Sequence, residues 1–372
     1  MEIADTATRI TKGSFPVMHS PDRWRRPLLK PRRLAPGDRL AAVTPSWGGP
    51  GLFPARYRAG KRQLEVEFGV ELVEMPHTMH PPDWVSANPK ARADDLMRAF
   101  ADPSIAGIVA SIGGNDSIRL MPYLDLEIIR ANPKVFLGFS DTTNLHFACL
   151  AAGITSFYGP SIMAGFGENA GMHRFTADAV RRALFQTQPI GPVGPNPEGW
   201  TDEMLDWSDP ALQSRPRRLN PPDAPRILQG AGSVTGPLLG GCAEVLEMIK
   251  ATAWWPAPAY WDGAILFLET SEDVPAPGFV EYWLRNYAAQ GILERLAGIL
   301  VARASPMGDD SYQEALEAAV RASLAQAGLR DLPVLSGLDF GHTQPMLTLP
   351  YGVEARIDCA SATLTIVEAG VC

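Results

Sequence analysis

From Arg39 to Ala152, short apolar runs ending in small or turn-forming residues alternate with stretches of helical period, and this alternation leaves few folds open. RLAAVTPS, from Arg39, reads as a buried strand and Phe53 to Phe68 as a helix. VELVEM, from Val70, is a second strand, followed by a helix from Asn88 to Phe100. IAGIVASI, Ile105 to Ile112, is a strand that stops at Gly113-Gly114. Ser117 to Arg130 has helical period despite Pro122; VFLGF from Val135 is a strand; Asp141 to Ala152 is a helix. Strands separated by helices need crossover connections, which give a mostly parallel sheet covered on both faces. The expectation is an α/β domain built on a mostly parallel sheet over residues 38–165.

The remainder divides in two. Residues 166–230 read as a linker and active-site loop, because Pro189, Pro192, Pro195, Pro197, Pro210, Pro216, Pro221, Pro222 and Pro225 interrupt any long helix. Trp200 and Trp207 lie on it, and each reads either as surface packing or as an aromatic platform for a ligand. Residues 231–372 form a second, mixed domain. Its expected strands are Ala231 to Thr235, AILFL before Glu269, and AGILVARA from Ala297. Its expected helices are Ala243 to Ala251, Gly278 to Gln290 and residues 312–327. Val353 to Ile357 and Ala362 to Val367 read as an antiparallel pair.

Composition narrows the function classes. Hydrophobic residues are 46% and charged residues 20%, enough apolar surface for folded cores. A net charge of −8 argues against a nucleic-acid or anionic-membrane partner. No apolar run reaches the roughly 18 residues of a spanning helix. Cys149, Cys242, Cys359 and Cys372 are far apart and form no Cys-x-x-Cys pair. The first residues lack a signal-peptide pattern, so a cytoplasmic location is expected. Residues 1–37 form a leader in which Arg23, Arg25, Arg26, Lys30, Arg32 and Arg33 crowd together. This run reads either as an anion-binding arm or as a solvated arm on the domain surface.

Candidate chemistry gathers at strand ends, where open α/β sheets bind ligands. In GFSDTT, Gly138 to Thr143, a strand runs into Ser140 and a helix follows at once. Such a turn can expose a serine hydroxyl, although Thr142 stands in place of the second Gly of G-x-S-x-G. The same residues also make ordinary helix caps. SIGGNDS, Ser111 to Ser117, offers backbone amides for an oxyanion, or simply a tight turn. Glu269 ends a buried strand inside ETSED, and His342 lies in GLDFGHTQP. A serine needs a base, and the base needs a carboxylate to fix its tautomer. Ser140, Glu269 and His342 supply these types in one of the known chain orders. His77 and His80 lack a third ligand at metal spacing. Gly230, Gly232 and Gly236 miss G-x-G-x-x-G because Thr235 occupies the third position.

In order along the chain, KPRRLAPGDRLAAVTPS from Lys30, SIGGNDSIRLMPYLD from Ser111, KVFLGFSDTTNLHFA from Lys134 and FYGPSIMAGFGE from Phe157 resemble the LD-carboxypeptidase family of serine peptidases. So do GSVTGPLLGGCAEVL from Gly232, ILFLETSED from Ile265 and GLDFGHTQPMLTLPYGVEARID from Gly337. The family also contains the microcin C self-immunity peptidases. The resemblance implies a flavodoxin-like N-terminal domain carrying the nucleophile and a smaller mixed α/β C-terminal domain carrying the acid and base. It assigns the nucleophile to Ser140, the carboxylate to Glu269 and the base to His342. It places oxyanion amides at Gly114 (or Gly113) and Asp141, and substrate contacts at Gly113, Asn115 and Trp207. It implies no metal and no cofactor, a homodimer, and a small peptide or peptide-conjugate substrate. That substrate is either a murein tetrapeptide or a microcin C-like peptidyl or aminoacyl nucleotide. The alternative is a non-catalytic binder of a peptide or nucleotide-like ligand on the same fold. The acidic pair Glu272-Asp273 suits a cationic amino group better than a phosphate.

Overall fold

The alternation read from the sequence closes into two sheets, one of six strands and one of eight. The computed structural model describes Trp24, residues 27–305, Asp309 and residues 311–372. Arg23, Arg25 and Arg26 of the basic leader lie outside the described residues. Lys30 and Arg32 pair with Glu368 and Asp38 at 2.7 and 2.9 Å. Arg33 N–H donates to the Cys372 carbonyl, so this half of the leader is an arm laid along the C-terminus.

The first sheet takes β1 (Arg39–Val43), β2 (Glu71–Glu74), β3 (Gly107–Ala110), β4 (Val135–Gly138) and β5 (Phe157–Tyr158). All four pairings among them are parallel, in the order β2-β1-β3-β4-β5. That is the flavodoxin-like order, in which the chain changes direction between β1 and β3. The loops after those two strands therefore open a crevice at the carboxyl end of the sheet. β3 and β4 are buried at every position, as expected of strands covered on both faces.

The second sheet takes β6 (Gly191–Val193), β7 (Arg226–Gln229), β8 (Ser233–Cys242), β9 (Ile265–Glu269), β10 (Gly298–Ala302) and β11 (Val334–Leu338). The chain then returns to the first sheet as β12 (Leu349–Pro350), antiparallel to β5, before β13 (Glu354–Asp358) and β14 (Thr363–Ile366) complete the second. β8, β9, β10 and β11 run parallel, and antiparallel strands flank them. Mixed pairing of this kind is what the second region's pattern called for. The return of β12 has a consequence for the site. It ties the loop that carries His342 to the edge of the sheet that carries Ser140.

Three local readings needed correction. Ser117–Tyr123 is a 3-10 turn and the α-helix starts only at Leu126, capped by the Asp125 carboxylate. Pro122 cannot donate to an α-helical ladder, so the segment tightens and restarts. The strand expected over Ala231–Thr235 begins at Ser233 and runs on to Cys242, because β9 and β13 pair with it on both sides. The Pro-rich stretch also contains β6, which Gly191 and Pro192 had disguised as loop.

Candidate active site

Ser140 follows β4 by two residues and begins the 3-10 turn that leads into the helix Thr143–Ala152. Its φ of 60° is left-handed, a conformation that costs a side-chain-bearing residue about 1–3 kcal/mol. The surroundings hold it there. Thr143 Oγ1 donates to the Ser140 carbonyl at 2.7 Å, Thr142 Oγ1 donates to the Phe139 carbonyl at 2.8 Å, and the helix is buried on all sides. A strained strand-to-helix turn of this form lifts the hydroxyl away from the backbone.

The glycine loop after β3 is pinned to the same turn by Asp141. The fully buried Asp141 carboxylate accepts from Ser46 Oγ, Asp116 N and Ser117 N at 2.5, 3.0 and 2.7 Å, and from Asn144 Nδ2 at 3.1 Å. Its carbonyl accepts from Ser117 Oγ at 2.7 Å. Gly113 then passes so close that a Cβ there would stand 2.8 Å from Ser140 Oγ. The Gly114 amide has no hydrogen-bond partner among the described residues, whereas the Ser140 amide donates to Tyr158 Oη at 3.0 Å. Free amides beside a hydroxyl, at the first turn of a helix, can receive developing negative charge.

The second sheet supplies the other half. Glu269 is the last residue of β9, and its Oε2 lies 2.6 Å from His342 Nδ1. Its Oε1 accepts from the Tyr158 hydroxyl. His342 Nε2 lies 3.1 Å from Ser140 Oγ and 3.0 Å from Glu272 Oε2. Gly341, at φ 87°, lets the loop pass over the carboxylate, since a Cβ there would be 2.6 Å from it. Burial opposes charge on His342, but the facing carboxylates Glu269 and Glu272 outweigh it and hold the ring well above the usual imidazole range. In return, the His342 hydrogen bond pulls Glu272 down to about 2. A hydroxyl, an imidazole and a buried carboxylate in this chain of contacts can move a proton off the hydroxyl.

Comparison with known proteins assigns the chain to a family. The LD-carboxypeptidase N-terminal domain profile matches residues 40–159, and the C-terminal domain profile matches residues 235–357. The chain belongs to the LD-carboxypeptidase family. Microcin C7 self-immunity protein MccF of Escherichia coli is 30% identical over 341 residues, covering 90% of this chain and 94% of that protein. A putative carboxypeptidase of Vibrio cholerae is 30% identical over 345 residues, covering 91% and 98%. A probable murein peptide carboxypeptidase of Bacillus subtilis is 25% identical over 346 residues, covering 92% and 95%. Among solved structures, MccF with aspartyl sulfamoyl adenosine superposes with a TM-score of 0.81 at 29% identity, covering 92% of this chain and all (100%) of that one. An MccF-like protein of Streptococcus pneumoniae with AMP gives 0.79 at 30% identity, covering 88% and 98%. The protein is a serine carboxypeptidase-type hydrolase with the two-domain MccF fold.

In this member of the LD-carboxypeptidase family, Ser140 and His342 open onto a cavity of about 500 Å³, with Glu269 buried behind them. Ser140, His342, Gly113, Gly114 and Trp207 all line it. Asn115 is exposed and does not. The two loop tryptophans separate: Trp207 faces Phe53 edge-on at 6.0 Å with the Arg56 guanidinium 4.9 Å from its ring, while Trp200 packs on Arg303 at 5.0 Å outside the lining. Thr201 and Gln344 exchange backbone hydrogen bonds at 2.7 and 2.9 Å, so the Pro-rich loop docks directly on the His342 loop. Sequence reasoning missed Arg56, Gln344 and Tyr158. Only Tyr158 left a signal, as the polar end of an otherwise apolar strand. Among the described residues, no group of three His, Cys, Asp or Glu is placed to hold a metal ion. Among the described residues, no helix is long and apolar enough to cross a membrane.

Proposed function

We propose that Ser140 is the nucleophile of a hydrolase that cuts an amide at the C-terminal end of a small peptide or aminoacyl conjugate. The contact that carries the reading is Ser140 Oγ to His342 Nε2 at 3.1 Å, with Nδ1 on Glu269 at 2.6 Å. His342 Nε2 takes the hydroxyl proton as Oγ bonds to the scissile carbonyl carbon. The amides of Gly114 and Asp141 hold the resulting oxyanion. The carbon–nitrogen bond breaks as the imidazolium gives its proton to the leaving nitrogen. Water then adds to the acyl-enzyme, its proton passing through His342 back to Ser140. Glu269 keeps the ring oriented and offsets its positive charge.

An aminoacyl or peptidyl nucleotide is the substrate favoured here. Trp207 and Arg56 form an aromatic and cationic wall in the cavity, and a 30%-identical relative has been solved with AMP. The test is mass spectrometry of products from wild type and Ser140→Ala. The substrates are an aminoacyl sulfamoyl-adenosine and a murein tetrapeptide ending in D-Ala. Release of sulfamoyl-adenosine by wild type only, with a loss of about 10³-fold or more in the variant, is expected. Release of D-Ala alone moves the protein to murein peptides. Equal activity of the variant sinks the Ser140 assignment.

A further inference from the structure

His342 Nε2 has two partners at nearly equal distance, Ser140 Oγ at 3.1 Å and Glu272 Oε2 at 3.0 Å. They make opposite demands. A neutral ring protonated on Nδ1 offers Nε2 only a lone pair, which accepts from Ser140 and repels a carboxylate. Contact with Glu272 needs a proton on Nε2, and an imidazolium cannot act as a base. The charged groups facing the ring are Glu269 from β9 and Glu272 from the following loop; Phe139 and Ser140, from the first sheet, are neutral.

The Glu272 loop is built, not loose. Glu244 Oε1 accepts from both Ser271 N and Ser271 Oγ, at 2.9 and 2.6 Å, and Val274 N–H donates to the Ser271 carbonyl at 3.1 Å. Yet the Glu272 side chain is 58% exposed, lines the cavity, and touches no cation other than His342 among the described residues. Two further acceptors line the same cavity. Gln344 is only 6% exposed and its Oε1 has no partner, and Asp202 has no ion pair among the described residues. The cavity's arginines are already engaged: Arg217 by Glu168, and Arg56 by the Met163 carbonyl, Asn169 and Gln213. The uncommitted charge near the hydroxyl is therefore negative.

We propose that Glu272 is the receptor for the α-ammonium group of the substrate, and that until this group arrives it holds His342 in its protonated, inactive form. The inference rests on the hydrolase reading above and names its substrate class: aminoacyl conjugates with an unblocked α-amine. Geometry selects the α position. An α-nitrogen lies about 2.5 Å from its own carbonyl carbon. Attack brings that carbon to roughly 3–3.5 Å from Ser140 Oγ. The ammonium therefore lies within about 6 Å of Ser140 Oγ, in reach of the half-exposed Glu272 carboxylate that shares Nε2 with this hydroxyl. When it does, the carboxylate turns to the new cation, the Nε2 proton leaves to solvent, and the lone pair is free for the Ser140 hydroxyl.

The test compares wild type with Glu272→Gln on alanyl sulfamoyl-adenosine and on its N-acetyl form. Wild type should favour the free amine by roughly 10–100-fold in kcat/KM, and the variant by less than about threefold. Imidazole nitrogen shifts of the free protein should show His342 titrating about one pH unit or more lower in the variant. An equal preference in both proteins, or an unmoved His342 titration, overturns the inference and leaves the hydrolase standing. Hydrolysis of the murein tetrapeptide alone overturns it too, since that residue's α-nitrogen is in a peptide bond. No hydrolysis of any of the three removes the hydrolase reading itself.

Discussion

The Tyr158 hydroxyl donates to Oε1 of Glu269, the carboxylate oxygen that His342 leaves unused. Both groups are buried, at 0% and 2% exposure, and the same hydroxyl accepts the Ser140 amide at 3.0 Å. Burial first, and then the facing Glu269, push the phenol well above its usual range, so it stays a donor. One hydroxyl thus joins the turn of the first sheet to the carboxylate of the second.

Tyr158→Phe should therefore strip a hydrogen bond from Glu269 and from Ser140 at once. A buried acceptor left unpaired costs about 1–3 kcal/mol. The expected result is a lower thermal midpoint together with a kcat reduced by roughly 10–100-fold, with KM little changed. A variant with normal kcat would show that the bridge is structural only.

Gly113 gives a sharper steric test. A Cβ at this position would meet Ser140 Cβ and Oγ at 2.8 Å, and Gly113 is itself buried. Gly113→Ala must displace either the hydroxyl or the glycine loop, and misplacement of about 1 Å can cost 10²-fold in rate. Loss of turnover by about that factor is expected, with cooperative unfolding retained. Gly194→Ala is the control, because nothing lies within 4 Å of its added carbon and its φ is not positive. Equal activity in the two variants would contradict the close approach.

What the sequence made legible follows from burial. β3 and β4 are continuous apolar runs that stop on Gly and Ser, so their carboxyl ends, and with them Gly113, Gly114 and Ser140, could be located from pattern. Ser140, Glu269 and His342 come together because β9 ends beside β8 at the Cys242–Glu269 pair, close to the helix that follows Ser140. Tyr158 escaped because its strand has two residues and its partner lies 111 positions on. The contact of Glu272 with Nε2 escaped for a related reason: it depends on a turn fixed by Glu244, a residue on a different element. Pro122 and the glycines of β8 misled because turn-forming residues were held in place by neighbours that local pattern does not contain.

Trp207 should control substrate choice without touching the chemistry. Its ring packs on Phe53 and under Arg56 inside the cavity, apart from the Ser140–His342 contact. Base–aromatic stacking is worth about 1–3 kcal/mol per base. Trp207→Ala should raise KM for an aminoacyl sulfamoyl-adenosine by roughly 5–150-fold and leave kcat within about threefold. A larger fall in kcat than rise in KM would mean that the ring positions the reacting amide.

The acid stability of the protein should carry the mark of His146. This ring is fully buried behind the Ser140 turn, with Nε2 3.0 Å from the Gly138 carbonyl and Nδ1 2.9 Å from Ser156 Oγ. A carbonyl can only accept, so the neutral ring keeps its proton on Nε2 and Ser156 donates to Nδ1. Burial pushes its pKa down to about 3, against the partial support of the Gly138 carbonyl. Unfolded, it binds a proton below about 6.5; folded, it does not until about 3. Its contribution is therefore full above pH 6.5 and is lost as pH falls toward 3, at about 1.4 kcal/mol per unit and roughly 5 kcal/mol in all. Urea unfolding of wild type and His146→Gln between pH 4 and 7.5 should show a steeper acid loss in wild type, by up to one proton's slope. His146→Gln should be the less stable protein at pH 7.5, with the gap closing as pH falls. Parallel curves would mean that the ring binds its proton alike in the native and unfolded states.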